Sequence, residues 1–496
     1  MTLDLLFATF SFGHLCLLLL GVVVGILGGA LPGISSTTTA ALVATFAYTM
    51  GPLDAVIFLA ATQVGSTYGG SISATVLNIP GTPASAATAI EGYPMSKRGD
   101  GELALAINVM SSFWGNTIGV FLLLIVMPVV LGLAMAFGSW EMFWFATFGL
   151  VVCAQLSRGD FTKGLISACA GLIISFVGYD PIHGVGAIRF HFGIDYLRDG
   201  IKLIPAMVGL YGMSEVFTSM IDYDAKPLEL KKNKLFAFKE IWDYKWLTFK
   251  VTVMGFIIGA IPGVGANIAS WVGYNHAKSC SKDGDKFGTG CIEGLIGSEA
   301  ANNACVPGAY APLLALGIPG DGVTAIVLAI LTVQGIQTGP NFMANNPDFV
   351  YLLAASLLLS GVMFLFIGSF MAKGVIRLLS APLPILMAAV TCLCAVGAFS
   401  SSYRFEDIYL MFFFGVVGLL MQKGNFPIAP MILGLVIGGE LVDANFRRAV
   451  LAGKGSLAPF VTRPLSMVLV AILVIIMVNE FFGPAIKRKL GFKQNR

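Results

Sequence analysis

Two acidic residues lie in apolar sequence, where a carboxylate could bind an ion. Glu299 belongs to the polar run 297–303, and Asp321 directly follows a Pro-Gly pair. An ionised carboxylate at bilayer depth costs ~2.5 kcal/mol or more, so such residues usually face a cavity and bind an ion, a proton or a partner. The amides of Asn302 and Asn303 could ligate Na⁺ or bond across helices. We predict that Glu299 and Asp321 couple to an ion, with an ordinary helix cap near water as the alternative.

Four Pro-Gly pairs interrupt the apolar sequence. They are Pro32-Gly33, Pro80-Gly81, Pro262-Gly263 and Pro319-Gly320. Proline removes an amide donor and clashes with the preceding turn, and glycine allows conformations that other residues avoid. In hydrocarbon, each unpaired backbone group is costly unless protein or cavity water satisfies it. The four breaks therefore predict a polar interior.

Small polar residues follow two of these breaks, where new helices should begin. Ser35 and Ser36 follow the first break, and Gly263 and Asn267 mark the start after the third. Free amides at a helix start attract anions, with about 0.3–1 kcal/mol gained when exposed and ~2 kcal/mol when partly buried. Hydroxyls add donors without fixed charge. The pattern predicts a carboxylate site; the alternative is that these residues only cap helices and permit close packing.

The breaks belong to an internal repeat. The run 29–33, Gly-Ala-Leu-Pro-Gly, recurs 230 residues later at 259–263, and the run 78–83 matches 317–322 at a distance of 239 residues, in the same order. The first copy is entered from a Lys-free side and the second from a lysine-rich stretch, so the two should cross the bilayer in opposite senses. Inverted repeats are typical of secondary transporters.

The segments around the second and fourth breaks, 72–92 and 309–336, should form re-entrant hairpins. Their arms of about 10–15 residues would measure ~15–22 Å, roughly half of a membrane. We expect the two tips to meet near the midplane from opposite sides, and one bundle to move against a scaffold in an elevator-like manner.

Composition fixes the broad class. Apolar residues make up 56% of the 496 residues and charged residues 11%, which excludes a water-soluble globule. The net charge of +3, without a basic stripe, gives no support to nucleic-acid binding. We predict an all-α polytopic membrane protein with about a dozen transmembrane segments.

The basic residues predict the topology. None precedes Lys97, so the N-terminus should be periplasmic, whereas the C-terminus should be cytoplasmic. The predicted organisation is a first membrane repeat at 1–220, a cytoplasmic linker at 221–249 and a second membrane repeat at 250–496. One loop disagrees: the residues placed outside include Arg447, Arg448, Lys454 and Arg463.

Other chemistry has little support. The eight cysteines and four histidines lack the spacing of a metal site, and we expect no metal and no cofactor besides a coupling ion. Tyr179-Asp180 and the run 319–321 loosely resemble the aspartyl pair of an intramembrane protease. That motif needs glycine where Ile318 stands, so we expect no enzyme and keep the protease as a remote alternative.

Longer motifs carry a family resemblance. Tyr68-Gly-Gly-Ser-Ile-Ser, Asn78-Ile-Pro-Gly-Thr-Pro, Glu91-Gly-Tyr-Pro-Met, Glu299-Ala-Ala-Asn-Asn and Leu316-Gly-Ile-Pro-Gly resemble the large membrane subunit of tripartite tricarboxylate transporters over nearly the whole chain. The resemblance implies a bacterial inner-membrane importer of carboxylates, driven by an ion gradient. It also implies two partners, a small membrane subunit and a periplasmic solute-binding protein.

The resemblance also implies site residues. Matched motif by motif, those for substrate are Asn78, Pro80, Gly81, Thr82, Pro83, Asn302, Asn303, Gly317, Pro319 and Gly320, with Glu299 among the functional residues. A carboxylate at Asp321 would repel an anionic substrate, so we assign it to the coupling cation.

Several readings stay open at this level. Amides, hydroxyls and helix ends accept tricarboxylates, dicarboxylates and aromatic acids alike, and both H⁺ and Na⁺ fit as the coupling ion. No motif encodes the oligomeric state or which half moves. The alternative function is a transporter of the same fold, or a channel, that works without a binding protein.

Overall fold

The protein was analysed as a computed structural model that describes residues 11–31, 34–156, 160–180, 182, 184–219, 236–346, 348–379 and 383–489. Nearly all of the described chain is helical. The break at Pro32-Gly33, residues 221–235 of the predicted linker and the tail 490–496 lie outside the described residues.

The chain begins with helices that are started by local signals. They are α1 (Phe12–Ala30), α2 (Ser36–Ala47), α3 (Pro52–Leu77), α4 (Ala86–Arg98) and α5 (Gly101–Ala134), with a 3₁₀ turn at Pro83–Ser85 before α4. Ser35 caps α2, because its hydroxyl accepts the Thr38 amide at 3.1 Å. Pro52 begins α3, at the position where a missing amide costs nothing.

A small sheet follows two further helices. The elements are α6 (Ser139–Leu156), α7 (Phe161–Ser175), β1 (Gly178–Asp180) and β2 (Gly184–Arg189). The strands pair antiparallel, with Gly178 opposite Arg189. This hairpin corrects the all-α prediction at one place: the preceding helix ends at Ser175, and Gly178, with φ of 106°, begins β1 in a left-handed conformation.

The rest of the described chain is again helical. It contains α8 (Leu203–Met207), a π-helical turn (Val208–Met213), α9 (Ser214–Ser219), α10 (Phe238–Asp243), α11 (Lys245–Gly259), α12 (Gly265–Cys280), α13 (Ile292–Leu316), α14 (Gly322–Val333), α15 (Pro340–Asn345), α16 (Asp348–Leu379), α17 (Leu383–Ser402), α18 (Phe405–Lys423), α19 (Ile428–Ile437), a second π-helical turn (Gly438–Asp443), α20 (Ala444–Ala452), α21 (Pro459–Thr462) and α22 (Pro464–Lys489).

The chain divides into two compact units. The larger unit holds Met1–Ala134 and Lys202–Gly424, and the smaller holds Met135–Ile201 and Asn425–Arg496. Both boundaries of the predicted linker, at 221 and 249, fall within the larger unit.

Helices α3 and α13 form the core of the larger unit. α13 packs against α5, α11 and α12, and α3 packs against α1 and α16. Every residue of α13 from Gly294 to Leu316 is buried. The Tyr68 ring stacks on Phe364 of α16, with centroids 5.3 Å apart. Two helices rich in small polar residues therefore lie inside the bundle, where apolar helices surround them.

The helices before the second and fourth breaks are longer than predicted. α3 has 26 residues and α13 has 25, so the arms that we expected to begin at 72 and 309 are continuous with the preceding helices. The polar runs do not interrupt them, because hydroxyls bond back to carbonyls one turn earlier, as Thr67 does to Gln63 at 2.9 Å.

Length and composition qualify five described helices to cross a membrane, or six if one bent pair counts as a single span. The five are Phe12–Ala30, Gly101–Ala134, Asp348–Ala372, Phe405–Lys423 and Pro464–Phe481. The chain is therefore a polytopic membrane protein. The predicted dozen segments would require shorter apolar helices, such as Ser36–Ala47 and Gly322–Val333, to enter the bilayer as well.

Ion pairs hold the smaller unit together. Arg447 Nη1 lies 2.6 Å from Asp180 Oδ2, and Arg189 Nη1 lies 2.9 Å from Asp443 Oδ2. These contacts tie the β hairpin to the helical segment that leads into α20. Two of the basic residues that disagreed with the predicted topology are paired, since Arg463 Nε also lies 2.7 Å from Oε1 of the fully buried Glu141.

Candidate functional site

The break after α3 is a tight, polar turn. Asn78 ends the helix in a left-handed conformation with φ of 60°, and the Gly81 amide donates to the Gly70 carbonyl at 3.3 Å. The Thr82 and Ser85 hydroxyls are 3.0 Å apart. Pro80 lies in the turn and Pro83 begins the 3₁₀ turn that follows.

The break after α13 has the same construction. Gly317 ends the helix with φ of 71°, and Pro319 and Gly320 lead to Asp321, which caps α14. Asp321 Oδ1 accepts the Thr324 amide at 2.8 Å. Its Oδ2 accepts a hydrogen bond from Gln63 Nε2 of α3 at 2.7 Å.

Three helix starts converge at this fourth break, Pro319-Gly320. The Gly263 amide, just before α12, donates to the Gly320 carbonyl at 2.9 Å. A Cβ built on Gly265 would lie 3.6 Å from Asp321 Cβ, and one on Gly322 would lie 2.8 Å from the Thr37 hydroxyl. The first residues of α2, α12 and α14 therefore meet around Asp321.

Three further residues were predicted at the starts of α2 and α12, and the structure places them at different positions within those starts. Ser35 is the cap of α2, and Ser36 is its first residue, one position before Thr37. Asn267 is an exposed residue of the first turn of α12.

A second polar centre surrounds Glu299, which is fully buried. Thr88 of α4 donates to Oε1, and Ser112 of α5 donates to Oε2 at 2.9 Å. Asn303 Nδ2 extends the network, because it donates to Ser112 Oγ at 2.8 Å and to Asn302 Oδ1 at 2.5 Å. The carboxylate is thus held by neutral donors from two helices, α4 and α5.

The structure brings together residues that the sequence analysis did not connect. Gln63, Thr88 and Ser112 were not predicted as site residues, although each is a polar side chain in an apolar or small-residue segment. Thr88 falls within the predicted hairpin 72–92, and Gln63 is the only glutamine of α3. Polarity at bilayer depth was the signal that could have found them.

Polar atoms without a protein partner remain around the two centres. Among the buried side chains of the described residues, they include Gln63 Oε1, Asn302 Nδ2, Asn303 Oδ1 and Tyr310 Oη. Unpaired buried polar atoms usually bind water, an ion or a ligand. No group of three or more His, Cys, Asp or Glu side chains that could hold a metal occurs within the part of the chain described.

The first helix of each half approaches its break at corresponding positions. A Cβ on Gly81 would lie 2.1 Å from the Gly29 carbonyl, and one on Gly320 would lie 2.6 Å from the Gly259 carbonyl. In the described residues, each of these two Pro-Gly breaks contacts the first helix of its own half. The direct meeting of the two breaks stays a prediction.

The same correspondence extends along these helices. A Cβ on Gly25 would lie 2.4 Å from the Thr62 carbonyl, and one on Gly255 would lie 2.2 Å from the Ala301 carbonyl. The glycines are 230 residues apart and their neighbours 239, the two intervals of the sequence repeat.

Comparisons with known proteins agree with a helical membrane protein. A family described as the tripartite tricarboxylate transporter TctA family matches residues 15–433. An uncharacterized 52.8 kDa protein in the TAR-I ttuC′ 3′ region of Agrobacterium vitis is 33% identical over 456 residues, which cover 91% of this chain and 90% of that protein. A second uncharacterized protein of the same organism, in the TAR-II ttuC′ 3′ region, is 29% identical over 235 residues, 47% of this chain and 96% of that protein. No solved structure matches the chain.

The apolar helices and the matched family define a polytopic membrane transporter. The chain belongs to the tripartite tricarboxylate transporter TctA family. The prediction of family from the sequence motifs is confirmed. Membership makes the chain a large transporter subunit rather than an enzyme, and implies a system with a small membrane subunit and a periplasmic binding protein.

Proposed function

We propose that this subunit imports carboxylates across the bacterial inner membrane, coupled to H⁺ or Na⁺ and supplied by a periplasmic binding protein. The observation that carries the proposal is the pair of carboxylate centres, Glu299 and Asp321, within the larger unit. Both are surrounded by neutral polar groups, and Asp321 lies where three helix starts converge.

The substrate carboxylate would bind at the helix starts beside the fourth break, Pro319-Gly320. Amides at the starts of α2 and α12 present partial positive charge to an anion. Hydroxyls such as that of Thr37 supply further donors. A site made of amides and hydroxyls binds carboxylates without a permanent counter-charge, so a second carboxyl group or a ring on the substrate would be selected elsewhere.

The coupling ion would bind at Glu299, at Asp321 or at both. Neutral donors hold each carboxylate without neutralising it, so a proton or cation can supply the missing charge. The unpartnered Asn303 Oδ1 is an oxygen ligand of the type that Na⁺ prefers. A cation bound close to an anionic substrate would also favour binding of that substrate.

An inverted repeat with two re-entrant hairpins and elevator-like movement would place these centres between the two sides of the membrane. Support comes from the matching close approaches of the first helices in the two halves. Further support comes from the two breaks, each of which follows a left-handed residue, Asn78 or Gly317.

We place the N-terminus in the periplasm and the C-terminus in the cytoplasm. Four basic residues conflict with this topology, but the ion pairs of Arg447 and Arg463 neutralise two of them. Local pairing would reduce the cost of their position outside.

Transport by the complete system tests the proposal. The three subunits are reconstituted in proteoliposomes, and uptake of labelled citrate, succinate and benzoate is measured with a Na⁺ gradient, a proton gradient or neither. Ligands for this assay come from a thermal-shift screen of the periplasmic protein. We expect uptake of the ligand that the periplasmic protein binds, and its loss when the driving gradient is removed.

The Glu299→Gln variant should lose coupled uptake by at least about tenfold, because one hydrogen bond to a charged group contributes about 1.5–3 kcal/mol. Glu293→Gln is the matched control on the same helix, since Glu293 lies in its first turn and bonds to Ser281. Unchanged uptake and ion dependence in Glu299→Gln would remove the role of this carboxylate. Full uptake without the periplasmic protein would favour the binding-protein-independent transporter instead.

A further inference from the structure

An apolar groove opens on the surface of the larger unit, and none of its lining residues binds Glu299 or Asp321. Its volume is about 630 Å³, and α5, α10 and α11 contribute its walls. The apolar lining side chains include Trp114, Ile118, Phe238, Trp242, Trp246 and Phe249. We call it the Trp242 groove.

The aromatic side chains of the Trp242 groove are unusually exposed. Trp242 is 69% exposed, Trp246 70% and Phe238 63%. Contiguous apolar surface of this kind marks contact with a membrane or another protein. Tryptophan is enriched where hydrocarbon meets the headgroup layer, because its ring is apolar and its N–H donates a hydrogen bond.

Two lysines line the same groove. Lys239 of α10 and Lys245 of α11 are both exposed, and Lys245 Nζ lies 4.5 Å from the centroid of the Trp242 ring. Long lysine side chains cover apolar surface with their methylenes and keep the ammonium group at the polar boundary. The groove therefore has an apolar wall with positive charge at its edge.

The sequence around the groove also carries a net positive charge. Residues 221–250 contain seven lysines and five acidic residues. Basic segments next to a membrane helix attract the anionic headgroups of the cytoplasmic leaflet. A partner helix with acidic side chains would also fit the groove, and the experiment below separates that outcome from a lipid.

We propose that the Trp242 groove binds an anionic phospholipid. An acyl chain lies along the aromatic wall, and the lipid phosphate pairs with Lys239 and Lys245. The site anchors α10, a helix within the predicted linker, at the membrane surface.

Native mass spectrometry of the delipidated full chain tests the proposal. Phosphatidylglycerol and phosphatidylcholine with identical acyl chains are titrated separately. We expect tighter binding of phosphatidylglycerol, and a loss of about fivefold in its affinity for each lysine removed in Lys239→Gln with Lys245→Gln. Trp242→Ala with Trp246→Ala should weaken both lipids.

The control removes two exposed lysines elsewhere, by Lys278→Gln with Lys282→Gln, and should keep the preference. Equal binding of the two lipids, or the same loss in the control pair, would overturn the proposal. It would also be overturned if the Lys239 and Lys245 variant kept its lipid preference but no longer co-purified with the small membrane subunit, because the occupant would then be a protein.

Discussion

Each of the two carboxylates of the candidate site is bound by side chains that lie far away in sequence. Glu299 accepts from Thr88 and Ser112, and Asp321 accepts from Gln63. All three donors are uncharged. An arginine or lysine in their place would form a permanent ion pair, whereas hydroxyl and amide donors orient a carboxylate and leave its charge for an exchangeable ion.

Ser112→Ala should weaken the dependence of uptake on the coupling ion. The change removes one donor to Glu299, so the ion concentration for half-maximal uptake should shift by about tenfold, since a hydrogen bond to a charged group contributes about 1.5–3 kcal/mol. Ser111→Ala is the control, because Ser111 is equally buried on the same helix. Equal shifts in both variants would contradict a specific contact with Glu299.

Gln63→Leu should reduce substrate uptake while the protein remains folded. Leucine is similar in length but cannot donate to Asp321 Oδ2, which then loses its contact with α3. Initial uptake rate and thermal unfolding are measured on the same preparation. A normal rate with a lowered unfolding temperature would assign Gln63 to packing only.

At the scale of elements, α4 connects the first half of the chain to the loop between α12 and α13. The fully buried Glu91 accepts from the amides of Gly288, Gly290 and Cys291 at 2.6–2.7 Å and from the Tyr274 hydroxyl at 2.8 Å. Such a set of donors stabilises a buried carboxylate that would otherwise be costly.

The same helix also contacts the ion centre. Thr88, one turn before Glu91, donates to Glu299, and Arg98 at the end of α4 donates to the Thr289 carbonyl at 2.6 Å. The position of Thr88 therefore depends on how firmly α4 is held by the loop. Glu91, the first residue of the Glu91-Gly-Tyr-Pro-Met motif in the family resemblance, provides the contact with that loop.

Glu91→Ala should lower the stability of the whole subunit. It removes the shared acceptor of three partly buried amides, and each hydrogen bond lost contributes about 0.5–1.5 kcal/mol. Tyr274→Phe is the control, because it removes a single donor to the same carboxylate and should cost about 1 kcal/mol. Thermal unfolding of the full chain in detergent measures both, and equal unfolding temperatures would contradict the role of Glu91 in holding the loop.

At the scale of the whole molecule, the chain leaves the larger unit after α5. It then forms α6, α7 and the β hairpin of the smaller unit and returns to the larger unit at α8. The candidate site lies entirely within the larger unit. The smaller unit differs in that its carboxylates include some in direct ion pairs, such as Asp180 with Arg447. Fixed pairs suit a stable structure, whereas exchangeable charge suits ion coupling.

Asp180→Asn should destabilise the smaller unit without changing the ion dependence of uptake. The change weakens the contact with Arg447, whose side chain is 27% exposed, so solvent compensates part of the loss and we expect about 1 kcal/mol or less. Limited proteolysis with mass spectrometry locates the effect. A changed ion requirement in this variant would show that the pair takes part in coupling.

The sequence by itself determined the membrane class, the family and the positions of the helix breaks. Apolar composition and Pro-Gly pairs act within a few residues of the chain. The repeat intervals and the family motifs are read directly from the sequence. Asn78 and Gly317 end their helices where the repeat predicted a break. The sequence also selected Glu299 and Asp321 as unusual charges in apolar surroundings.

Only the tertiary structure decided which residues meet. Thr88 and Ser112 lie about 200 residues from Glu299 along the chain, and Gln63 is separated by 258 residues from Asp321. No local pattern encodes such pairs, because they depend on how α3, α4 and α5 pack against α13 and α14. The continuous helices through the polar runs were also decided there, since burial against neighbouring helices and hydroxyl-to-carbonyl bonds stabilise segments whose composition suggested separate arms.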